Sequence, residues 1–193
     1  WRGPVLNRFD GRRWERRRTG YLPRLIEQID PQAPTVDYEI TLEPSSARWL
    51  LALETLRSWN AKRAVLNSSF ELLSFAPLDG RTSYRARASL GGATPGSMTE
   101  RAWQADTWLP VGSNPRSVAL AQQLRAEAGD DREFLSSILR RFREQPFYYS
   151  LTPALLGADS VDEFLFATRE GFCGHYASAF AVLARAAGLP ARI

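Results

Sequence analysis

The sequence is poor in several residues that often carry chemistry: among 193 residues there is one cysteine, Cys173, one histidine, His175, one lysine, Lys62, and one methionine, Met98. A lone cysteine excludes an internal disulfide, so cysteine usage assigns no compartment. No window approaches about eighteen uninterrupted apolar residues, so nothing within the sequence reads as a membrane span. The first residues show neither a charged region leading into an apolar one nor a cleavage site. The scarcity of lysine means that the net charge of +4 comes almost wholly from arginine. That pattern reads as composition bias rather than selection for phosphate, and net charge alone implies no nucleic acid.

What is present suits one large or two small domains, and 44% hydrophobic residues suffice for a real core. All six tryptophans lie between Trp1 and Trp108, whereas the later part is rich in alanine and leucine at helical spacing. The shift sets a boundary near 109–114, giving a β-rich part over 1–110 and a second part over 111–193. In the first part, "TVDYEITLE", "RWLLALETL", "RAVLNSSFELLSF" and "RTSYRARASL" are short and rich in β-branched or aromatic residues. They are separated by "PSSA", "SWN" and "PLDG", and the series reads as an antiparallel sandwich or sheet. In the last of them Arg85 and Arg87 alternate with Tyr84, Ala86 and Ala88, as a strand with one wet face requires.

After the loop "GGATPGSMTE", Asn114 is expected as an N-cap with Pro115 at the first helical position, opening a helix to about Ala128. Phe134, Ile138, Leu139 and Phe142 recur at helical intervals in a second helix, which Pro146 ends. "FYYSLTP" reads as an extended segment, and Ser160 with Glu163 has the spacing of a capping box for a short helix. The overall class is α+β. The run "DGRRWERRRTGYLPR" holds Arg12, Arg13, Arg16, Arg17 and Arg18 around Trp14. Such a run could meet anionic lipid or a nucleic-acid backbone, but without an accompanying motif it reads as a solvated edge.

The chain closes on "REGFCGHYASAFAVLARAAGLPARI", where Tyr176, Phe180, Leu183, Ala184 and Ala187 form one apolar stripe of a buried helix. Gly188 supplies its left-handed cap and Pro190 stops it. Gly171 lets the chain turn into it. Cys173 falls in the first turn, where free N–H groups and the helix dipole favour negative charge. A cysteine on an alanine-rich helix is more often a small buried hydrophobe, and an inert core of that kind requires a buried, unreactive thiol. At the helix start the same amides could also hold an oxyanion, so a nucleophilic role is the sharper reading. His175 is not its partner, because residues two apart point about 200° apart around a helix. It is expected to pack or to hydrogen-bond locally.

"GFCGHYASAFAVLARAAGLPAR" resembles the cysteine-helix motif of the transglutaminase-like superfamily. "WRGPVLNRFDGRRW", "LPVGSNPR" and "VDEFLFATREGFC" resemble, within it, the TgpA-type bacterial membrane proteins. The resemblance implies a β-rich periplasmic domain followed by the helical first half of a transglutaminase-like, papain-like cysteine core. It implies an inner-membrane parent whose nucleophile is Cys173, in a Cys-His-Asp triad whose other members follow "GLPAR". The activity implied is protein-glutamine gamma-glutamyltransferase: acyl transfer from a protein or peptide glutamine to an amine or water, with no cofactor, no metal and no nucleic acid. The alternatives are a cysteine protease or amidase of the same fold, or a non-catalytic cell-envelope binding module. Residues 1–193 alone are expected to be inactive. Where members of this family often carry glutamate, this chain has Gly174, which loosens the first turn.

Overall fold

The computed structural model describes residues 1–17, 30, 32–90 and 99–193. Contacts divide the chain into two units, the first of residues 1–5 and the described part of 18–98, the second of 6–17 and 99–193. Strands are numbered along the chain, and β1 (Arg8–Phe9) and β2 (Trp14–Glu15) belong to the second unit. Segments 6–17 and 99–110 thus lie with the helices, whereas composition grouped them with the β-rich part. The physical reason for the first of these is aromatic: Phe9 is fully buried in the helical core with Trp14 against it, ring centroids 4.9 Å apart. Burying a side chain of that size contributes about 1.5–3 kcal/mol, more than local composition can offset.

The first unit holds β3 (Thr35–Leu42), β4 (Trp49–Leu50), β5 (Leu56–Trp59), β6 (Ala64–Leu66), β7 (Leu72–Ser74) and β8 (Thr82–Ser89). They form two antiparallel sheets, ordered β3-β8-β5 and β4-β7-β6. Leu50, Leu66 and Leu72 from one sheet share a cluster with Leu56, Tyr84 and Ala86 from the other, which makes a small sandwich. The alternation in β8 is as read: Tyr84, Ala86 and Ala88 are buried, while Arg85 and Arg87 face out. Opposite them, Arg87 grips Asp37 through two bonds of 2.7 Å, and Arg85 meets Glu39 at 3.0 Å. These exposed cross-strand pairs fix register more than they add stability. "RWLLALETL" differs from the expectation of one strand. Both Leu50 and Leu56 enter the core, and the chain turns between them, so β4 and β5 fall in separate sheets. Ser58 and Trp59, read as a separator, continue β5 beyond a register shift.

The second unit opens with α1 (Glu100–Thr107), a helix absent from the sequence reading, capped where Thr99 Oγ1 accepts the Ala102 amide at 3.2 Å. It continues with α2 (Pro115–Glu127), α3 (Asp131–Glu144), β9 (Tyr148–Tyr149) and α4 (Ser160–Glu163), which runs into a π-helical turn over Phe164–Thr168. Strand β10 (Glu170–Gly171) pairs in parallel with β9, and α5 (Cys173–Ala186) follows. Phe134 and Ile138 of α3 are fully buried and Phe142 half-buried, but Leu139 is 43% exposed and lies off the stripe. They pack with Ala121, Phe164, Leu165, Ala179, Val182 and Leu183 in one core that wraps α5.

Two helix starts in this unit are built differently from the local rules. Asn114 precedes α2 in the left-handed region (φ 49, ψ 53), but its side chain does not cap α2. Its Oδ1 accepts the amides of Val161 (2.9 Å) and Asp162 (3.2 Å) at the start of α4. In return Asp162 accepts the amides of Arg116 (2.9 Å) and Ser117 (2.7 Å) at the start of α2. Each helix is therefore capped from the other. The expected Ser160/Glu163 capping box does not form: Asp159 precedes α4, and Glu163 accepts the Gly157 amide at 2.9 Å.

Candidate active site

The start of α5 is defined by its neighbours as much as by its own sequence. Tyr148 N–H donates to Arg169 O (2.8 Å) and Ser150 N–H to Gly171 O (2.9 Å), which ties the approach to the helix onto β9. Phe172 is extended (φ −104, ψ 180) at the N-cap, and Cys173 is the first helical residue. The His175 amide of this first turn donates to Phe172 O at 2.9 Å, and a helix start leaves the amides before it without an intrahelical acceptor. The far end is a Schellman arrangement: Gly188 at φ 81 donates to Arg185 O and Leu189 donates to Ala184 O, both at 2.9 Å.

The Cys173 thiol is exposed, unlike the buried thiol that an inert core requires. His175 faces elsewhere, as its angular offset demanded. Its Nδ1 accepts the Phe172 amide at 3.3 Å, half of a capping box with imidazole in the place of a carboxylate. That bond uses the Nδ1 lone pair and puts the neutral ring's proton on Nε2. The ring packs on Phe172 (centroids 4.4 Å apart) and Phe164 (5.7 Å), and partial burial pulls its pKa down. Gly171 serves this packing rather than a sharp turn, for a Cβ there would lie 2.7 Å from His175 Cγ. Gly174 likewise admits the Phe172 ring, which a Cβ would approach to 3.0 Å.

Tyr149, in register with Gly171, is 64% exposed and stacks on Tyr176, 6.5 Å between centroids. Tyr176 sits edge-on to Phe142 and Phe164 at 5.4 and 5.0 Å, and burial, with Tyr149 close by, raises its pKa. The sequence reading missed this aromatic bed, although "FYYS" and Tyr176 were its visible parts. It also missed Arg185, which is 3% exposed within α5. That guanidinium donates to the carbonyls of Asn7 (3.0 Å), Trp108 (3.0 Å) and Ala191 (2.6 Å) and lies over Trp14 at 4.6 Å. Arg12, Arg13, Arg16 and Arg17 are exposed, and Arg18 lies outside the described residues. Among the described residues no cluster of three or more His, Cys, Asp or Glu side chains could hold a metal ion, and no helix is long and apolar enough to cross a membrane.

Residues 1–95 match the TgpA N-terminal domain family and residues 118–193 the transglutaminase-like superfamily. The whole chain aligns with the crystal structure of the periplasmic domain of TgpA from Pseudomonas aeruginosa at 37% identity and a TM-score of 0.91, covering 66% of that chain. The same periplasmic domain bound to ethylmercury matches at 36% identity and a TM-score of 0.87, with 67% of it covered. The chain belongs to the TgpA family of transglutaminase-like proteins. A curated relative, the protein-glutamine gamma-glutamyltransferase of P. aeruginosa, is 36% identical over all 193 residues, and the chain spans 29% of its length. The α+β class, with antiparallel sheets followed by helices, agrees with these relatives.

Proposed function

We propose that Cys173 is the nucleophile of a protein-glutamine gamma-glutamyltransferase. The observation that carries this reading is an exposed thiol at the first position of a buried helix, in a chain of the transglutaminase-like superfamily. In the reaction, Cys173 Sγ attacks the carboxamide carbon of a protein or peptide glutamine. The C–N bond breaks, ammonia departs with a proton from a general acid, and a thioester remains. An amine, or water, then attacks the thioester, its proton returns to the thiolate, and the product amide or acid leaves. First-turn amides are suited to hold the oxyanion of each tetrahedral intermediate.

His175 is not the acid of this scheme, since its Nδ1 is engaged by Phe172 and its ring is packed among aromatics. The histidine and aspartate of the triad come from the full-length protein outside residues 1–193. That protein is anchored in the inner membrane and works in the periplasm. Mass spectrometry tests the reading directly. The full-length protein given a glutamine peptide should form a thioester adduct on Cys173, lost in Cys173→Ala, whereas residues 1–193 alone should show no turnover. An adduct that survives Cys173→Ala, or turnover by residues 1–193, refutes the assignment. An organomercurial of the kind bound by the relative's periplasmic domain should also bond this one thiol and block the adduct.

A further inference from the structure

We propose that Arg116, Arg141 and Arg169 form a binding site for a phosphate oxyanion, set around Phe166 and separate from Cys173. The guanidinium carbon of Arg116 lies 4.3 Å from the Phe166 ring centroid and that of Arg141 5.8 Å from it. Arg141 is half-buried, and its Nε is shielded from solvent without a hydrogen-bond partner. Burial, and then the charge of Arg169 beside it, hold its pKa below the usual range. Among the described residues, none of the three side chains meets a carboxylate within salt-bridge distance. Like charges gathered without a counter-ion oppose folding, and in the interior an orphaned donor adds to the cost.

The local backbone that carries Phe166 and Arg169 is itself costly. Phe166 sits in the π-helical turn, a rare form of helix found often at functional positions. Arg169 ends that turn in the left-handed region at φ 51, held where its amide donates to Phe164 O at 3.0 Å. A non-glycine residue rarely takes this conformation without surroundings that enforce it. A guanidinium laid against a ring keeps its N–H edges for other acceptors. A tetrahedral dianion, with two charges and several acceptors, answers three such forks where one carboxylate answers one. The chemistry is a phosphate group, free or in a lipid headgroup.

The test titrates inorganic phosphate into the full-length protein at about 0.1 M chloride, where weak surface charge is largely screened. Saturable binding at one site is expected. Arg141→Gln with Arg169→Gln should weaken it about tenfold or more, and the matching lysine pair, which keeps charge but loses the fork, should weaken it less. Arg12→Gln with Arg13→Gln removes equal charge from the exposed run and should leave affinity unchanged. Phosphorus NMR line-broadening on the unaltered protein gives a readout that survives a misfolded variant. Phosphatidylglycerol vesicles bound and then displaced by inorganic phosphate would make the group a lipid headgroup, and no vesicle binding beside phosphate binding would make it free. Absence of saturation, or equal weakening by the Arg12/Arg13 pair, overturns the proposal.

Discussion

Replacing Asn114 by alanine tests whether one buried side chain holds two helix starts together. Asn114 has no exposed surface, and its amide serves three backbone groups: the N–H of Val161, the N–H of Asp162 and, through Nδ2, the Gly11 carbonyl at 2.9 Å. Alanine orphans all three, and each such buried group costs about 1–3 kcal/mol. Because the two amides share one acceptor they count as about one loss, and two losses near the middle of that range sum to about 4 kcal/mol. The positive φ of 49 adds about 1 kcal/mol, since alanine visits the left-handed region less readily than asparagine. A loss of this size is a large fraction of a typical domain's total of about 5–15 kcal/mol. Urea unfolding and native-state hydrogen exchange read it independently. If opening is local, amides 161 and 162 should exchange about a thousandfold faster, at one decade per about 1.4 kcal/mol. Asn114→Gly loses the same bonds without the φ cost and should fall about 1 kcal/mol less far. A loss below about 1.5 kcal/mol for alanine, with exchange at 161 and 162 unchanged, would refute the shared-cap account.

Arg185→Met should cost about 3–5 kcal/mol in the same assay, because it strips partners from the Asn7, Trp108 and Ala191 carbonyls. Burial pulls Arg185 down to about 10, so the folded chain sheds that proton before the unfolded one does. The wild type should therefore gain stability relative to Arg185→Met with rising pH only from about pH 10 upward, and a difference that titrates near neutrality would refute this. Asp106 is 5% exposed, with Arg192 at 3.6 Å, and burial raises its pKa against the pull of Arg192, Arg185 and Arg17. A raised acid contributes stability that is full below its unfolded value of about 3.9 and is lost as pH rises through the folded value. Stability of the wild type relative to Asp106→Asn should thus decline from about pH 4 upward, and a rise instead would show that the arginines outweigh burial. Gly174→Glu gains helix propensity and a favourable first-turn charge, together about 1–2 kcal/mol, if the Phe172 ring moves aside. A lower melting temperature would show that the ring is fixed.

How far the sequence could be read depends on the distance along the chain between the groups that decide each feature. Features settled within one or two turns were legible: the β8 alternation, the Gly188 cap, the apolar face of α5 and the local hydrogen bond that engages His175. Their partners lie within about one helical turn or one strand period, where spacing carries the information. The reciprocal cap was not legible, because Asn114 and Asp162 satisfy the local capping preference with partners 45 to 48 residues away. Local rules named the right residue types and assigned the wrong acceptors. Arg185 is the extreme case: it reaches Asn7, 178 residues distant, and nothing near "LARAAG" marks that arginine as interior. The exposure of Cys173 belongs to the same class. A thiol in an alanine-rich helix is covered or open according to what packs over the helix start, which spacing along the chain does not record. Tyr149 is in register with Gly171, so the chain from 148 to 150 runs alongside the approach to α5, with the Tyr149 ring against Tyr176. A parallel pair of two-residue strands leaves no periodicity to detect. Cys173 could therefore be singled out from sequence as the candidate nucleophile, whereas its exposure, on which any reaction depends, required the fold.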